Sequence, residues 1–261
     1  MKTLITRADD CASSHAANQA IARAADAGFV KNVSVMGVCP FVEEAAALLA
    51  GRKDLCFGLH IALNSEWDDV RWAPLTKAPG LTDARGSLYQ DPAVFLRQPP
   101  AMEQVMAEIE AQYQRLVDAG FTIRYAEAHM LPERYLAGMQ EHVAAWTREK
   151  GILDFSWYMQ NVLPHMDDVS TDPALFAKVL SELPSGQYTY VAHPACYSPE
   201  MLCVGNAGCT GEIVARHRDA DARFMADPAT NKICRANGVA TIRLDEAVPQ
   251  QYRIWTPDSV L

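Results

Sequence analysis

Two adjacent aspartates end an apolar segment near the start of the chain. Asp9 and Asp10 follow residues 4–8, a short run of the kind that forms a buried strand. In an α/β barrel, the carboxyl ends of the strands open onto the active-site face. Two carboxylates are costly to bury there unless a ligand or a reaction uses their charge. One could therefore bind a metal ion while the other transfers protons.

Three histidines occupy comparable places in the sequence. His60 follows the third predicted strand, His129 follows the fourth, and His193 follows a later one. The ends of parallel barrel strands lie on one rim, so we expect these side chains to converge with Asp9 and Asp10 around one cavity. A single histidine at a strand end is more often structural, but the shared position favours a site. Two imidazoles and a carboxylate leave positions open on a divalent metal for water and substrate.

The segments that position these residues alternate between strand-like and helix-like patterns, as in a parallel sheet built from βα units. This alternation predicts an α/β fold, a TIM-like and distorted (β/α) barrel, with residues 1–261 forming a single domain. An open doubly wound sheet is the alternative. Strands are predicted over residues 2–8, 32–36, 54–61, 121–126, 152–157, 188–192 and 239–243, and helices over 14–27, 42–50, 102–120, 133–150, 173–183, 211–226 and 229–237.

A long stretch at about residues 64–100 has neither pattern and contains five prolines. A loop of this length inside a compact domain is usually functional, for example as a lid. We therefore expect it to lie near the predicted cavity.

Composition and charge narrow the class of protein. A formal net charge of −9, without runs of Lys or Arg, argues against a nucleic-acid binder and against an anionic membrane partner. The first residues resemble neither a signal peptide nor a membrane span, and seven cysteines fit a reducing cytoplasm. Cys196, Cys203 and Cys209 crowd one loop, but their spacing is not the CxxC pattern of a structural zinc site. Their role is left open.

Four short motifs occur in an order that resembles the YdjC-like (ChbG-like) carbohydrate deacetylases. They are Ala-Asp-Asp at 8–10, Gly-Leu-His at 58–60, Glu-Ala-His-Met at 127–130 and Ala-His-Pro at 192–194. Each motif alone is weak, whereas the ordered set is fairly specific and covers nearly the whole chain. Further similarity lies at residues 18–21, 40–45 and 81–86, and at Arg218 with Asp221.

The resemblance implies a (β/α) barrel-like fold and an enzyme that hydrolyses N-acetyl groups on amino sugars such as chitooligosaccharides. It implies that Asp10, His60 and His129 hold one divalent metal ion. Asp9 would then be the general base and His193 the acid. Zn²⁺ suits this ligand set best, while Mg²⁺, Mn²⁺, Co²⁺ or Ni²⁺ could also occupy it. The expected partner is a small N-acetylated sugar, and a homodimer is possible.

The chain also departs from the family pattern, in ways that bear on the substrate. Glu127 stands where the family usually has Asp, and its extra methylene could move a contact behind the metal ligands. The segment with Trp67, Arg71 and Trp72 resembles a subgroup whose substrate need not be chitobiose. Either tryptophan could stack on the apolar face of a sugar. Arg71 and Glu127 are further candidates for contacts with the substrate. Packing within the loop or a contact between subunits explains both rings equally well.

Three other functions remain open from the sequence. The first is a metal-dependent hydrolase of a different amide, and the second is a non-catalytic sugar-binding relative. The third is a cysteine hydrolase with Cys11 or Cys196 as nucleophile beside His193. Sensitivity to chelators rather than to thiol alkylation separates the metal enzyme from the cysteine hydrolase.

Overall fold

The computed structural model describes residues 1–259, and its centre is one parallel sheet. The strands follow the order β5-β4-β3-β2-β1-β6, and β7 also pairs with β1. The strands are β1 (Lys2–Cys11), β2 (Asn32–Val35), β3 (Cys56–Ile61), β4 (Ile123–Ala128), β5 (Leu153–Asp154), β6 (Gly186–Ala192) and β7 (Val239–Ile242).

Strand β1 is the most heavily paired element of the sheet. One edge pairs with β6 from Lys2 to Ala8. The other edge is shared, because β7 pairs with the first half of β1 and β2 pairs with the second half, from Arg7 onward. Neighbours on both edges bury β1 from Leu4 to Cys11, as its apolar run predicts. The carboxyl end of β1 therefore lies at the middle of the sheet.

The sheet curls because its two edges are joined by a short piece of chain. Strand β5 ends at Asp154, and Val162 already pairs with Thr189 of β6 at the opposite edge. Because Phe155–Tyr158 form a 3₁₀ turn, this segment spans only about 22 Å. In a flat sheet, β5 and the strand position beyond β6 would be about 29 Å apart, so the edges must approach each other. The predicted distorted (β/α) barrel is confirmed, and the open doubly wound alternative does not describe the sheet.

Eight α-helices surround the strands in residues 1–259. The hydroxyl of Ser14 accepts a hydrogen bond from the Ala17 N–H and caps the first helix, as the sequence predicts. None of the helices combines the length and apolar character that a bilayer crossing requires. The helices are α1 (His15–Asp26), α2 (Val42–Leu49), α3 (Met102–Asp118), α4 (Met139–Lys150), α5 (Pro173–Glu182), α6 (Pro199–Leu202), α7 (Gly211–Ala226) and α8 (Pro228–Ala236).

Two predicted elements are shorter than their sequence patterns suggested. Helix α4 begins at Met139 rather than at 133, because Pro132–Arg134 form a separate 3₁₀ turn and Gly138 adopts a left-handed φ of 83°. The strand predicted over 152–157 stops at Asp154, whose carboxylate accepts the Ser156 N–H and starts another 3₁₀ turn. The short helix α6 was not predicted at all.

The long loop at 64–100 is packed onto the barrel. The buried carboxylate of Glu108 in α3 accepts hydrogen bonds from the N–H groups of Leu75 and Thr76, at 3.0 and 2.9 Å. Within the loop, two 3₁₀ turns cover Pro79–Leu81 and Pro92–Leu96. The loop therefore has a fixed position relative to the carboxyl ends of the strands.

One glycine in the sheet makes room for a buried ring. Gly58 in β3 pairs with Tyr125 in β4, and a Cβ added at Gly58 would overlap the ring carbons of Tyr125. The ring cannot move easily, because its hydroxyl shares a hydrogen bond of 2.9 Å with Ser34 in β2.

We expect Gly58→Ala to lower the free energy of unfolding by about 3 kcal/mol, since the methyl group overpacks a rigid, buried contact. Urea denaturation measures this value. Gly51→Ala is the matched control because nothing lies within 4 Å of its added Cβ, and it should stay within about 0.5 kcal/mol of the parent. Equal stabilities for the two variants would contradict this account of the packing.

Candidate active site

A β-bulge near the end of β1 directs two neighbouring carboxylates to one place. In a regular strand, adjacent side chains point to opposite faces of the sheet. The register between β1 and β2 shifts between Ala8 and Cys11, and Asp10 adopts a left-handed φ of 60°. Such a bulge re-aims a side chain, and Asp tolerates the left-handed region better than most residues do. Asp9 and Asp10 consequently both face His60.

Three side chains from three strands meet at the carboxyl edge of the sheet. Asp10 Oδ1 lies 3.2 Å from His60 Nε2 and 3.4 Å from His129 Nδ1. The same two ring nitrogens are 3.1 Å apart. All three residues are buried, with at most 4% of their surface exposed. The structure thus brings together the residues predicted as metal ligands.

A second carboxylate lies behind each imidazole. His60 Nδ1 hydrogen-bonds Glu127 Oε1, and His129 Nε2 lies 3.0 Å from Glu66 Oε2. A carboxylate accepts the proton of the ring nitrogen that faces it, so the lone pairs of His60 Nε2 and His129 Nδ1 are left pointing at Asp10 Oδ1. Carboxylates in this position fix the tautomer and orientation of metal-binding histidines.

Buried charge in this cluster is out of balance. The carboxylates of Asp9, Asp10, Glu66 and Glu127 meet only two guanidinium groups among residues 1–259. Arg7 Nη2 pairs with Asp9 at 2.7 Å and with Glu127 at 3.5 Å, and Arg218 Nη2 pairs with Asp10 Oδ2 at 2.7 Å. With neutral imidazoles, the cluster carries two negative charges in excess. Low dielectric makes such an excess costly, and a divalent cation would neutralise it.

The pKa values of the two histidines are shifted by the same excess of buried negative charge. Burial alone would lower the pKa of His60, but Glu127 and Asp9 outweigh burial and raise it to about 9. Burial is likewise outweighed at His129, where Glu66 and Asp10 raise the pKa well above its usual value. Burial would raise the pKa of Asp10, but Arg218 and the two imidazoles hold it well below its usual range. Without a cation, protons are thus drawn into the site.

These residues fit a divalent metal ion on the chemistry of their free atoms. In the described part of the chain, Asp10 Oδ1 is buried and lacks a properly oriented hydrogen-bond donor. Two imidazole lone pairs converge on the same point and would repel each other across 3.1 Å. A cation between these three atoms satisfies all of them, and the set of two nitrogens and one oxygen is one that Zn²⁺ accepts well.

Asp9 lies close to His60 and Glu127, next to the three predicted metal ligands. Its Oδ2 accepts the hydrogen bond from Arg7, while its buried Oδ1 has no hydrogen-bond partner within residues 1–259. The guanidinium of Arg7 is itself held over the ring of Phe155, 4.1 Å from the ring centre. One oxygen of Asp9 is therefore fixed, and the other is available to a ligand.

The site opens into a cavity of about 760 Å³, which Asp9, His60, Glu127 and His129 line on one side. His193 also lines it, at the carboxyl end of β6. The His193 side chain is exposed, and its backbone N–H donates to Asp221 Oδ2 at 3.1 Å. The predicted acid and the predicted base therefore face one cavity.

The three residues proposed from the long loop lie away from this cavity. Trp72 is 5% exposed, and its ring meets the edge of the His129 ring with centres 6.0 Å apart. Trp67 lies beside Arg218, whose guanidinium carbon is 5.9 Å from the ring centre. Arg71 binds Asp83 at 3.1 Å and ties two parts of the loop together. Their surroundings support the packing interpretation, and a contact with substrate stays a prediction.

Sequence reasoning gave no role to three residues that contact the site. Glu66 lies in a loop without periodicity, so no pattern pointed to its contact with His129. Arg218 stood out only through the family resemblance. Arg7 carried a usable signal, because a charged side chain inside a buried strand is rare unless it is paired. Glu127, proposed as a substrate contact, lines the cavity but has its oxygens engaged by His60 and Arg7.

The burial of Cys11 argues against its use as a nucleophile. The residue has no exposed surface, and burial raises the pKa of its thiol to about 12. The reactive thiolate is therefore scarce at neutral pH. All seven cysteines are free thiols.

Comparison with known proteins agrees with the geometry. The sequence profile of the YdjC-like protein family matches residues 3–236. The chain belongs to the YdjC-like family.

Two curated relatives are both named carbohydrate deacetylase. One, from Thermoanaerobacter pseudethanolicus, is 29% identical over 132 residues, which cover 49% of this chain and 50% of the relative. The other, from Vibrio parahaemolyticus, is 25% identical over 126 residues, or 48% of each chain. The chain thus spans about half the length of these relatives.

Solved structures share the fold of this chain over nearly its whole length. A proposed cellobiose-phosphate cleavage protein from Enterococcus faecalis superposes with a TM-score of 0.73 at 16% identity, covering 94% of this chain and 98% of that one. The catalytic domain of a peptidoglycan N-acetylglucosamine deacetylase from Eubacterium rectale gives a TM-score of 0.56 at 10% identity, with coverage of 97% and 93%. At these identities, the likeness concerns the fold alone.

Glu66→Gln should weaken the binding of Zn²⁺ by about 10- to 100-fold, because the neutral amide makes His129 a poorer ligand without removing it. Competition with a chromogenic chelator measures the affinity. The exposed Glu103 on α3 supplies the matched control, Glu103→Gln, which should bind like the parent. Equal Zn²⁺ affinities of the two variants would contradict an effect of Glu66 on His129 as a ligand.

Proposed function

We propose that this protein is a metal-dependent hydrolase that removes N-acetyl groups from amino sugars or their oligosaccharides. The observation that carries the proposal is the convergence of Asp10, His60 and His129 next to Asp9, at the mouth of a cavity. Membership of the YdjC-like family supports it, as does the name carbohydrate deacetylase carried by two relatives.

The ligand atoms would be Asp10 Oδ1, His60 Nε2 and His129 Nδ1. A divalent cation bound there would polarise the amide carbonyl and make water a stronger nucleophile near neutral pH. Zn²⁺ suits two imidazoles and a carboxylate, and Mg²⁺, Mn²⁺, Co²⁺ or Ni²⁺ are alternatives that depend on availability. Glu127 and Glu66 hold the two imidazoles in the tautomers that the ligand role needs.

Asp9 serves as the general base in this proposal. Arg7 fixes the carboxylate through Oδ2, so that the unpartnered Oδ1 can accept a proton from the attacking water. The water oxygen forms a bond to the carbonyl carbon as the bond between carbon and nitrogen breaks. His193, which lines the same cavity, gives a proton to the departing nitrogen. The products are acetate and a free amine.

The substrate expected for this site is a small N-acetylated sugar. A non-catalytic sugar-binding relative would have no use for a base and an acid in addition to three metal ligands, so the full set of residues favours an enzyme. A cytoplasmic location and a homodimer stay predictions from the sequence.

Acetate release from N,N′-diacetylchitobiose and a panel of other N-acetylated sugars tests the proposal. We expect acetate from at least one compound, loss of activity after chelation, and recovery when Zn²⁺ or another divalent cation is added back. Treatment with iodoacetamide should leave the activity unchanged, which separates the metal enzyme from a cysteine hydrolase. The absence of acetate from every compound with metal-loaded protein would overturn the proposal.

Asp9→Asn should retain the metal and lose about 100-fold or more in kcat, because the amide cannot accept the proton of water. Steady-state kinetics with metal analysis of the same sample measures both quantities. Asp118→Asn, at the end of α3, makes the same chemical change outside the cavity and should keep full activity. Full turnover by the Asp9 variant would remove this residue from the mechanism.

A further inference from the structure

The cavity beside the proposed metal centre is far larger than an acetyl group requires. Its volume is about 760 Å³, within the range of pockets that enclose whole small-molecule ligands. The proposed reaction uses only the part of the lining that holds Asp9, His60, His129 and His193. The remaining lining must therefore contact another part of the substrate.

Much of that remaining lining is built from buried apolar side chains, beginning with Phe155 next to Arg7. Met139, Phe155, Met159, Leu163 and Trp255 all line the cavity, and each is at most 6% exposed. Methionine side chains are flexible and polarizable, so they adapt to apolar ligands of different shapes. A wall of this composition favours hydrocarbon over hydroxyl groups.

Two polar side chains that also line the cavity, those of Gln140 and Asp154, are engaged within the protein. Gln140 donates from Nε2 to the Arg253 carbonyl at 2.6 Å and accepts at Oε1 from the Trp255 N–H at 3.1 Å. Asp154 Oδ2 accepts the Tyr252 hydroxyl at 2.9 Å. A sugar hydroxyl buried here would have to compete with these bonds or stay unsatisfied, which is unfavourable.

This wall depends on a segment beyond the part of the chain that matches the family profile. The profile ends at residue 236, whereas Tyr252 and Trp255 lie in the tail that follows β7. Backbone hydrogen bonds fix the tail, since Gln250 N–H donates to Trp157 O at 2.8 Å and Arg253 N–H donates to Ser156 O at 3.0 Å. Trp255 therefore lies outside the region that matches the family profile, whereas the other four wall residues lie inside it.

The rim of the cavity has a different character. His165, Asp167 and Asp168 line it and are exposed. Hydroxyl groups at this rim can remain hydrated while an apolar group enters the interior. An amphipathic substrate matches both parts of the cavity.

We infer that the substrate is an amino-sugar amide that carries an apolar group close to the scissile bond, and that this group binds the wall formed by Met139, Phe155, Met159, Leu163 and Trp255. The inference rests on the proposed amide hydrolysis and names its substrate class. The apolar group is either an acyl chain longer than acetyl or an apolar aglycone on the sugar. Both present the same hydrocarbon chemistry to the wall.

Two substrate series distinguish these sources. The first is N-acylglucosamine from acetyl to hexanoyl, and the second is N-acetylglucosamine as methyl to hexyl glycosides. Each methylene that enters the wall should raise kcat/KM about threefold to fourfold, and the series in which it rises identifies the source. Calorimetric Kd values of the metal-loaded protein for the same compounds should improve by a similar factor per methylene.

Variants of the wall tie the effect to these residues. Trp255→Leu and Met159→Gln should flatten the dependence of kcat/KM on chain length while keeping the metal content. Met159→Gln preserves the side-chain shape, so it guards against misfolding of the first variant. Ile213→Ala, at an exposed position of α7, is the control and should keep the full dependence.

The outcomes separate this inference from the proposed function. Hydrolysis of acetyl compounds without any gain in either series overturns the apolar wall and leaves the deacetylase standing. Flat Kd values in both series overturn it as well, whether or not turnover occurs. Affinity that rises with chain length while no amide is cleaved supports the wall and rejects the proposed hydrolysis.

Discussion

An excess of buried negative charge is the constraint on which the rest of this structure depends. Four carboxylates surround two histidines at the centre of the sheet, and only Arg7 and Arg218 oppose them. A protein interior does not tolerate two uncompensated charges unless protons or a cation complete the set. A divalent ion bound there would offset the cost, and it would couple the metal site to the stability of this part of the sheet.

The fold positions these charged side chains through parallel strand pairing, a bulge in β1 and a long loop. Parallel pairing places the ends of β1, β3 and β4 at the same edge of the sheet, with β2 between β1 and β3, which brings in His60 and His129. The bulge in β1 adds what regular pairing cannot, since it points Asp9 and Asp10 toward the same region. The long loop, fixed on α3, then supplies Glu66 behind His129. Each contribution is individually small, but the three together define one site.

The strands and their ends could be predicted from the sequence because both depend on local signals. Apolar runs predict buried strands, and a parallel barrel then requires their polar ends to share a rim, which places Asp10, His60 and His129 near one another. The contact of Glu66 could not be predicted, because it depends on how a loop without periodicity packs in three dimensions. The start of α4 at Met139 was not predicted because the pattern of apolar residues continues across Gly138. The apolar wall was not predicted because its residues come from a helix, a turn and the tail, which are distant in sequence.

The account rests on one metal ion held by Asp10, His60 and His129. The most direct measurement is the anomalous scattering of a crystal of the protein loaded with Zn²⁺, recorded at the zinc absorption edge. The account predicts one strong peak per chain, about 2.0–2.2 Å from Asp10 Oδ1, His60 Nε2 and His129 Nδ1. A peak elsewhere in the chain, or none in protein that carries a stoichiometric amount of zinc in solution, would contradict it.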